Sequence, residues 1–99
     1  MTKLKGSQRR YLRGLANTMK PVVMIGKSGV NEQVLAAIDE ALEVHELIKV
    51  RFQEFKEEKK ELGKVIEEKC RCEMVGLIGH VAIFYRQNPD AEKRKIRLS

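Results

Sequence analysis

The run Lys20-Pro21-Val22-Val23-Met24-Ile25-Gly26-Lys27-Ser28-Gly29-Val30-Asn31 decides the fold. Pro21 cannot continue a helix, so a helix arriving from upstream stops there. Val22-Val23-Met24-Ile25 is a short uninterrupted apolar run and reads as a buried strand. Gly26-Lys27-Ser28-Gly29 is a glycine turn, and Asn31 is a favoured N-cap for a helix over about residues 31–44.

Upstream, Ser7 is placed to cap a helix reaching about Thr18 or Met19. Leu12, Leu15, Ala16 and Met19 recur at helical spacing on one face, with Tyr11 at its margin. On a helix of about 3.6 residues per turn, Arg9, Arg10, Arg13 and Lys20 fall close together and away from that face. Downstream, Val34, Ile38, Ala41 and Leu42 form the buried stripe of the second helix, whose outer face is acidic through Glu32, Asp39, Glu40 and Glu43. Leu47 to Phe52 alternates: Ile48, Val50 and Phe52 point one way, Lys49 and Arg51 the other, as in a strand with one wet face. Residues 54–70 read as a charged helix with a narrow core stripe of Phe55, Leu62, Val65, Ile66 and Cys70. Strands over about 72–78 and 81–86 meet in a tight hairpin at Gly79-His80. From Gln87 onward a basic tail, about 87–99, carries Lys93, Arg94, Lys95 and Arg97 and is expected to be mobile, although Ile96 and Leu98 alternate with charges and suit a short edge strand.

The order α-β-α-β-α-β-β predicts an α/β fold. Strands separated by helices call for parallel pairing with right-handed crossovers, and the hairpin adds an antiparallel strand. The expected architecture is a mixed four-stranded sheet with packed helices, forming a single domain over 1–99. With 99 residues, of which 42% are hydrophobic, the chain can bury one core but not two.

The net charge of +6 is unevenly placed. Residues 1–29 carry Lys3, Lys5, Arg9, Arg10, Arg13, Lys20 and Lys27 with no acid, a charge of +7, and the remainder sums to −1. A solvated surface is the bland explanation for charge, but an acid-free block makes a one-signed field that attracts polyanions. Nucleic acid is favoured over a membrane surface. No apolar run approaches the roughly 20 residues of a membrane span, and the N-terminal residues lack the apolar core of a secretory signal, so a cytoplasmic location is expected. The acid-poor start also has the look of a transit peptide, but it runs into the first strand after Lys20-Pro21 with no linker. Cys70 and Cys72, one residue apart, fit neither a comfortable disulfide nor C-x-x-C, and two histidines cannot complete a zinc set. Free thiols and no metal are expected.

Three readings compete for Gly26-Lys27-Ser28-Gly29. A plain strand-to-helix turn needs glycine anyway. A nucleotide-binding P-loop needs a glycine where Pro21 stands, and fails. A GxxG clamp lets a phosphodiester approach the backbone closely, with Lys27 supplying charge, Ser28 a hydroxyl and the following helix its N-terminal dipole. The basic helix ahead of the turn favours the clamp. Nothing supports catalysis: His45 and His80 have no sequence-defined nucleophile partner and read as a helix end and a hairpin turn. Aromatic residues are few, and most read as core; Tyr11 and Tyr85 are the contact candidates.

Leu12-Arg13-x-Leu15-Ala16, Lys20-Pro21-Val22-Val23-x-Ile25-Gly26-Lys27-Ser28-Gly29, His45-Glu46-Leu47-Ile48-Lys49-Val50 and Ile78-Gly79-x5-Tyr85-Arg86 together resemble the YhbY-like, or CRM-domain, family in its stand-alone bacterial form. The likeness runs over about residues 3–98, departing at Asn17, where the family pattern suggests histidine. It implies a fold similar to the C-terminal domain of translation initiation factor three, with an added N-terminal helix. It also implies RNA binding in assembly of the large ribosomal subunit, with Gly26, Lys27, Ser28 and Gly29 as the contact loop. Joined to the charge pattern, this sets the expected RNA track at Arg9, Arg10, Arg13, Lys20 and Lys27, extended by Lys49 and Arg51 if their sheet face is open. The expected partner is ribosomal RNA or the precursor large subunit, bound by a monomer with no cofactor, small-molecule substrate or membrane. The rivals are a protein-interaction module of pre-ribosomal particles using its charged helices, and a peripheral membrane protein using its basic helix.

Overall fold

A computed structural model describes residues 3–98, with α1 (Gly6–Ala16), β1 (Val23–Ile25), α2 (Glu32–His45), β2 (Leu47–Phe52), α3 (Lys59–Cys70), β3 (Glu73–Ile78) and β4 (Val81–Tyr85). Short 3-10 turns occupy Lys56–Glu58 and Ala91–Lys93. The fold is α/β with one mixed four-stranded sheet, in the order β1-β2-β4-β3. β1 lies parallel to β2 across the α2 crossover, and β4 runs antiparallel to both β2 and β3. The hairpin therefore turns β4 into the interior of the sheet. Its composition explains the choice: Ala82, Ile83, Phe84 and Tyr85 are all buried, as a strand covered on both faces requires. β3 takes the edge, with a register shift between Met74 and Gly76.

Alternation along the strands sorts side chains to two cores. Ile25, Ile48, Val50, Phe52, Ala82 and Phe84 meet Ile38 and Leu42 of α2 and Ile66 of α3. On the opposite face Leu47, Val75, Ile83 and Tyr85 meet Leu12 and Ala16 of α1, with Met19, Ile96 and Leu98 packed at the margin.

Several boundaries differ from the sequence expectation. Ser7 does not cap α1: Lys5 is the N-cap, and its backbone N–H donates to Gln8 Oε1 at 2.9 Å. The helix ends at Ala16, where Asn17-Thr18 offers poor helix propensity ahead of Pro21, so Lys20 is not on it. Leu15, expected on the packed face, is exposed, and so is Val65 of the α3 stripe. The third helix begins at Lys59, not near residue 54, because Gln53 and Glu54 instead donate their backbone N–H groups to the Ile25 carbonyl at 3.0 and 3.1 Å. Phe55 consequently leaves the core.

The basic tail is tied down, and residues 94–98 form no strand. Its anchor is Glu46, a fully buried residue at the end of α2 with φ 64°. The Glu46 carboxylate accepts the backbone N–H groups of Asn88 at 2.6 Å, Lys95 at 2.6 Å and Ile96 at 3.0 Å. Charge-assisted bonds of this kind satisfy a buried carboxylate and order the segment that supplies them.

Candidate functional site

Gly26-Lys27-Ser28-Gly29 closes as a four-residue turn, with the Gly29 N–H donating to the Gly26 carbonyl at 3.0 Å. Gly29 sits at φ +69°, a left-handed conformation that favours glycine. Gly26 has open space where a Cβ would stand, and Lys27 and Ser28 are exposed. Asn31 caps α2 as the sequence predicts, its side chain accepting the Val34 N–H at 2.9 Å. The loop therefore lies at the positive end of the α2 dipole, where an anion is stabilised, although Glu32 in the first turn opposes this in part.

The expected cations separate into two groups. Arg10, Lys20, Lys27 and Arg51 are exposed. Arg9, Arg13 and Lys49 are held by the protein. Arg9 pairs with the nearly buried Glu73 and donates to the Met74 carbonyl at 3.0 Å. Arg13 donates to the Val75 carbonyl at 2.9 Å. Both guanidinium groups thus satisfy the bulged edge of β3, which would otherwise offer free carbonyls to another strand. The Arg13 stem crosses Gly76 so closely that an added Cβ there would lie 2.9 Å from its Cδ. Lys49 Nζ donates to the Met19 carbonyl at 3.0 Å, fastening the α1–β1 connection. The row of helix cations is accordingly split, with Arg9 and Arg13 turned to the sheet edge and Arg10 to solvent.

The face carrying Lys49 and Arg51 is closed by α1 at one end and open at the other. There the register aligns Met24, Arg51, Val81 and Ile78 across all four strands. Met24 is 45% exposed and Ile78 58% exposed, so this row is a mixed apolar and cationic surface beside the glycine turn. A pocket of about 290 Å³ lined by Asn17, Pro21, Lys49, Ile78, Val81 and Ile83 adjoins it.

Several residues that sequence reasoning missed gather at this end of the sheet. Phe55, expected in the core, is 41% exposed and has φ 57°, ψ 37°. A bulky residue in the left-handed region is a strained exception, of order 1 kcal/mol or more. Its ring lies against Gly29: a Cβ added to that glycine would stand 3.3 Å from Phe55 Cε2. The warning in the sequence is that Glu58 and Lys59, one helical turn on, give Phe55 no apolar partner. Lys59 Nζ contacts the Gly79 carbonyl and donates to His80 Nδ1 at 3.2 Å. Local desolvation, then the charges of Lys59, Lys56 and Arg51, lower the His80 pKa from 6.5, with Glu57 acting oppositely. The imidazole is therefore neutral near pH 7, and Nδ1 is the acceptor because an ammonium can only donate.

Other candidates fall away. Tyr85, expected as a contact residue, is only 1% exposed, and burial, then the Glu46 carboxylate, pushes its phenol up to about 12. Tyr11 is half exposed on α1. Cys70 and Cys72 are buried free thiols; burial, then Cys70 and Glu67, pushes Cys72 up to about 12. Among the described residues, no group of His, Cys, Asp and Glu side chains could hold a metal ion, and no helix is long and apolar enough to cross a membrane. A groove of about 820 Å³ runs between α3 and the β3 edge, and its lining mixes Lys3, Arg9, Lys64 and Arg71 with Glu67, Glu68 and Glu73, so it carries no single-signed field.

Comparison with known proteins gives a consistent picture. Residues 4–86 match the family model of the CRS1/YhbY (CRM) domain. A protein of Haemophilus influenzae named as an RNA-binding protein is 41% identical over 93% of this chain and 94% of its own length. YqeI of Bacillus subtilis, named a probable RNA-binding protein, is 35% identical over 96% of this chain and 98% of its own. The solution structure of a hypothetical protein from Staphylococcus aureus, for which RNA binding is proposed, aligns with a TM-score of 0.79 at 40% identity, covering 96% of this chain and 100% of that one.

Proposed function

Because the chain belongs to the CRS1/YhbY (CRM) domain family, we propose that it binds RNA through the Gly26–Gly29 turn and the exposed cations around it. The observation that carries this reading is the exposure of Lys27 and Ser28 on a glycine turn at the N-terminus of α2. Backbone N–H groups, a hydroxyl and an ammonium there suit a phosphodiester, and the open position at Gly26 lets it come close. Arg51, in register with Met24 two residues before the turn, extends the positive surface, and Lys20 and Arg10 are further exposed cations for the RNA. Arg13 and Lys49 add long-range charge while their donors hold the fold together, and Arg9 is neutralised by Glu73.

Binding of this type is directed mainly at the RNA backbone, is weakly sequence-specific and falls steeply with salt. The RNA is ribosomal, from a precursor of the large subunit, bound by a monomer in the cytoplasm without a cofactor or catalytic step. The neighbouring proteins of the particle supply the specificity that backbone contacts lack. The competing protein-interaction reading relies on the acidic face of α2 or on the charged α3. Its α2 form is weakened because Arg86 already pairs with Asp39 at 2.6 Å and approaches Glu43 at 3.6 Å.

The test is binding to large-subunit ribosomal RNA across a salt series, for the wild type and a Lys27→Asp/Ser28→Asp double variant. Loss of a single-strand phosphate contact makes the logarithmic salt slope shallower by about 0.7. A weaker, shallower binding curve from a variant with native circular dichroism supports the loop as the contact. Unchanged affinity removes it, and weak binding by both proteins turns attention to assembled precursor particles and their proteins.

A further inference from the structure

Phe55 is unexplained by packing. It is a large aromatic residue with two-fifths of its surface in solvent, held in a backbone conformation that aromatic side chains rarely adopt. A phenylalanine in the core would gain full burial in return for such strain; this one gains only part of it. What the conformation achieves is position: the ring is laid against Gly29, the last residue of the turn that meets the phosphate. Replacing Gly29 with any residue bearing a Cβ would press on that ring, so turn and ring form one surface.

Resting on the RNA reading above, we propose that Phe55 is a stacking platform for one unpaired base of an RNA strand whose adjacent phosphate lies on the Gly26–Gly29 turn. Aromatic faces accept any base, and such stacking is the usual way that single-stranded segments are held once their phosphates are fixed. Glu54, Glu57 and Glu58 are exposed beside Phe55 in sequence and disfavour a phosphate there. Cations flank the ring: Lys27 is exposed on the turn, Lys56 follows Phe55 in sequence, and toward the hairpin Arg51 pairs in register with Val81 and Lys59 reaches the Gly79 carbonyl. A strand crossing this end of the sheet therefore meets Lys27 on the turn, the exposed ring of Phe55, then Arg51 and Lys59 near the hairpin. Lys59, held at the Gly79 carbonyl and His80 Nδ1, leaves His80 Nε2–H as a neutral donor at the far side. The ligand class is unpaired RNA, a loop or bulge, in preference to a continuous duplex.

The test uses the full chain and a short single-stranded RNA of about ten nucleotides carrying one 2-aminopurine, whose fluorescence is quenched when it stacks. Wild type and Phe55→Tyr should quench it and bind alike. Phe55→Asn, which suits the left-handed backbone, should fold at least as stably, lose the quenching and bind about tenfold more weakly. The Lys27→Asp/Ser28→Asp variant, measured beside it, reports on the RNA reading itself. If that variant loses binding while Phe55→Asn retains both affinity and quenching, the stacking proposal is overturned and the RNA reading stands. Equal binding of a blunt duplex and the single strand by the wild type also overturns it. If neither variant nor wild type discriminates RNA from buffer, the underlying RNA reading is what has failed.

Discussion

Glu46→Gln removes one charge and almost no volume from the point where the C-terminal segment is fastened. The wild-type carboxylate takes the Asn88 N–H on Oε2 and the Lys95 and Ile96 N–H groups on Oε1. A glutamine keeps one carbonyl oxygen. Set at the Oε1 position, it preserves two bonds as neutral ones and turns an amide N–H toward the N–H of Asn88. One charge-assisted bond of about 2 kcal/mol is lost, and the other two weaken by up to about 1 kcal/mol each. Relief of the buried charge offsets part of this, leaving a net loss of about 2–3 kcal/mol. If the loss falls on global unfolding, Tm drops by about 10 °C for a domain of this size. If undocking the tail is easier than unfolding the sheet, the tail releases first, and Ile96 and Leu98 leave the margin of the α1 core. Thermal denaturation combined with amide hydrogen exchange at Asn88, Lys95 and Ile96 distinguishes the two routes. A Tm within about 2 °C of wild type together with undiminished protection at all three amides would refute the anchor.

Further outcomes follow from the same structure. Gly29→Ala should cost about 1–2 kcal/mol in chemical denaturation, from the φ of +69° and the contact with Phe55, whereas Gly26→Ala should be neutral because nothing lies within 4 Å of its added Cβ. Arg9→Ala should lower stability by about 1–3 kcal/mol, since it strips Glu73 and the β3 edge of a partner, while Arg10→Ala should stay within about 0.5 kcal/mol in the same urea titration. Tyr85→Phe should raise Tm slightly, because among the described residues the buried Tyr85 hydroxyl has no hydrogen-bond partner. Cys72, raised from 9.0 to about 12, and Tyr85, raised from 10.0 to about 12, both keep their protons in the folded state where the unfolded chain releases them. Stability should therefore be flat below about pH 9, fall between about pH 9 and 12 and level off above, as read by denaturation at fixed pH; because burial raises Cys70 as well, it takes a Cys70→Ala/Cys72→Ala double variant to delay the fall to near pH 10.

The sequence alone determined the element order, because Pro21, the glycine turn and Asn31 punctuate it unambiguously, and because Leu47–Phe52 alternates with period two. Local chemistry also marked the turn itself, since only its flanking strand and capped helix are needed to see where an anion would meet free N–H groups. Strand order was not read from it: the unbroken apolar run Val81–Tyr85 suits a strand covered on both faces, but only the pairing of β4 with both β2 and β3 sets it inside the sheet. Charge count likewise located the positive field in residues 1–29 but not the use of each cation. Arg9 and Arg13 face a sheet edge sixty-odd residues away in sequence, and only the packing of α1 on β3 decides that their donors are occupied. The same holds for Glu46, whose three partners come from the tail, and for Phe55, whose apolar side chain suggested core until the path from β2 to α3 placed it on the turn. Periodicity reports on the neighbours a residue has along its own element. Which groups are free to meet a ligand is fixed by contacts between elements, and those exist only once the sheet has formed.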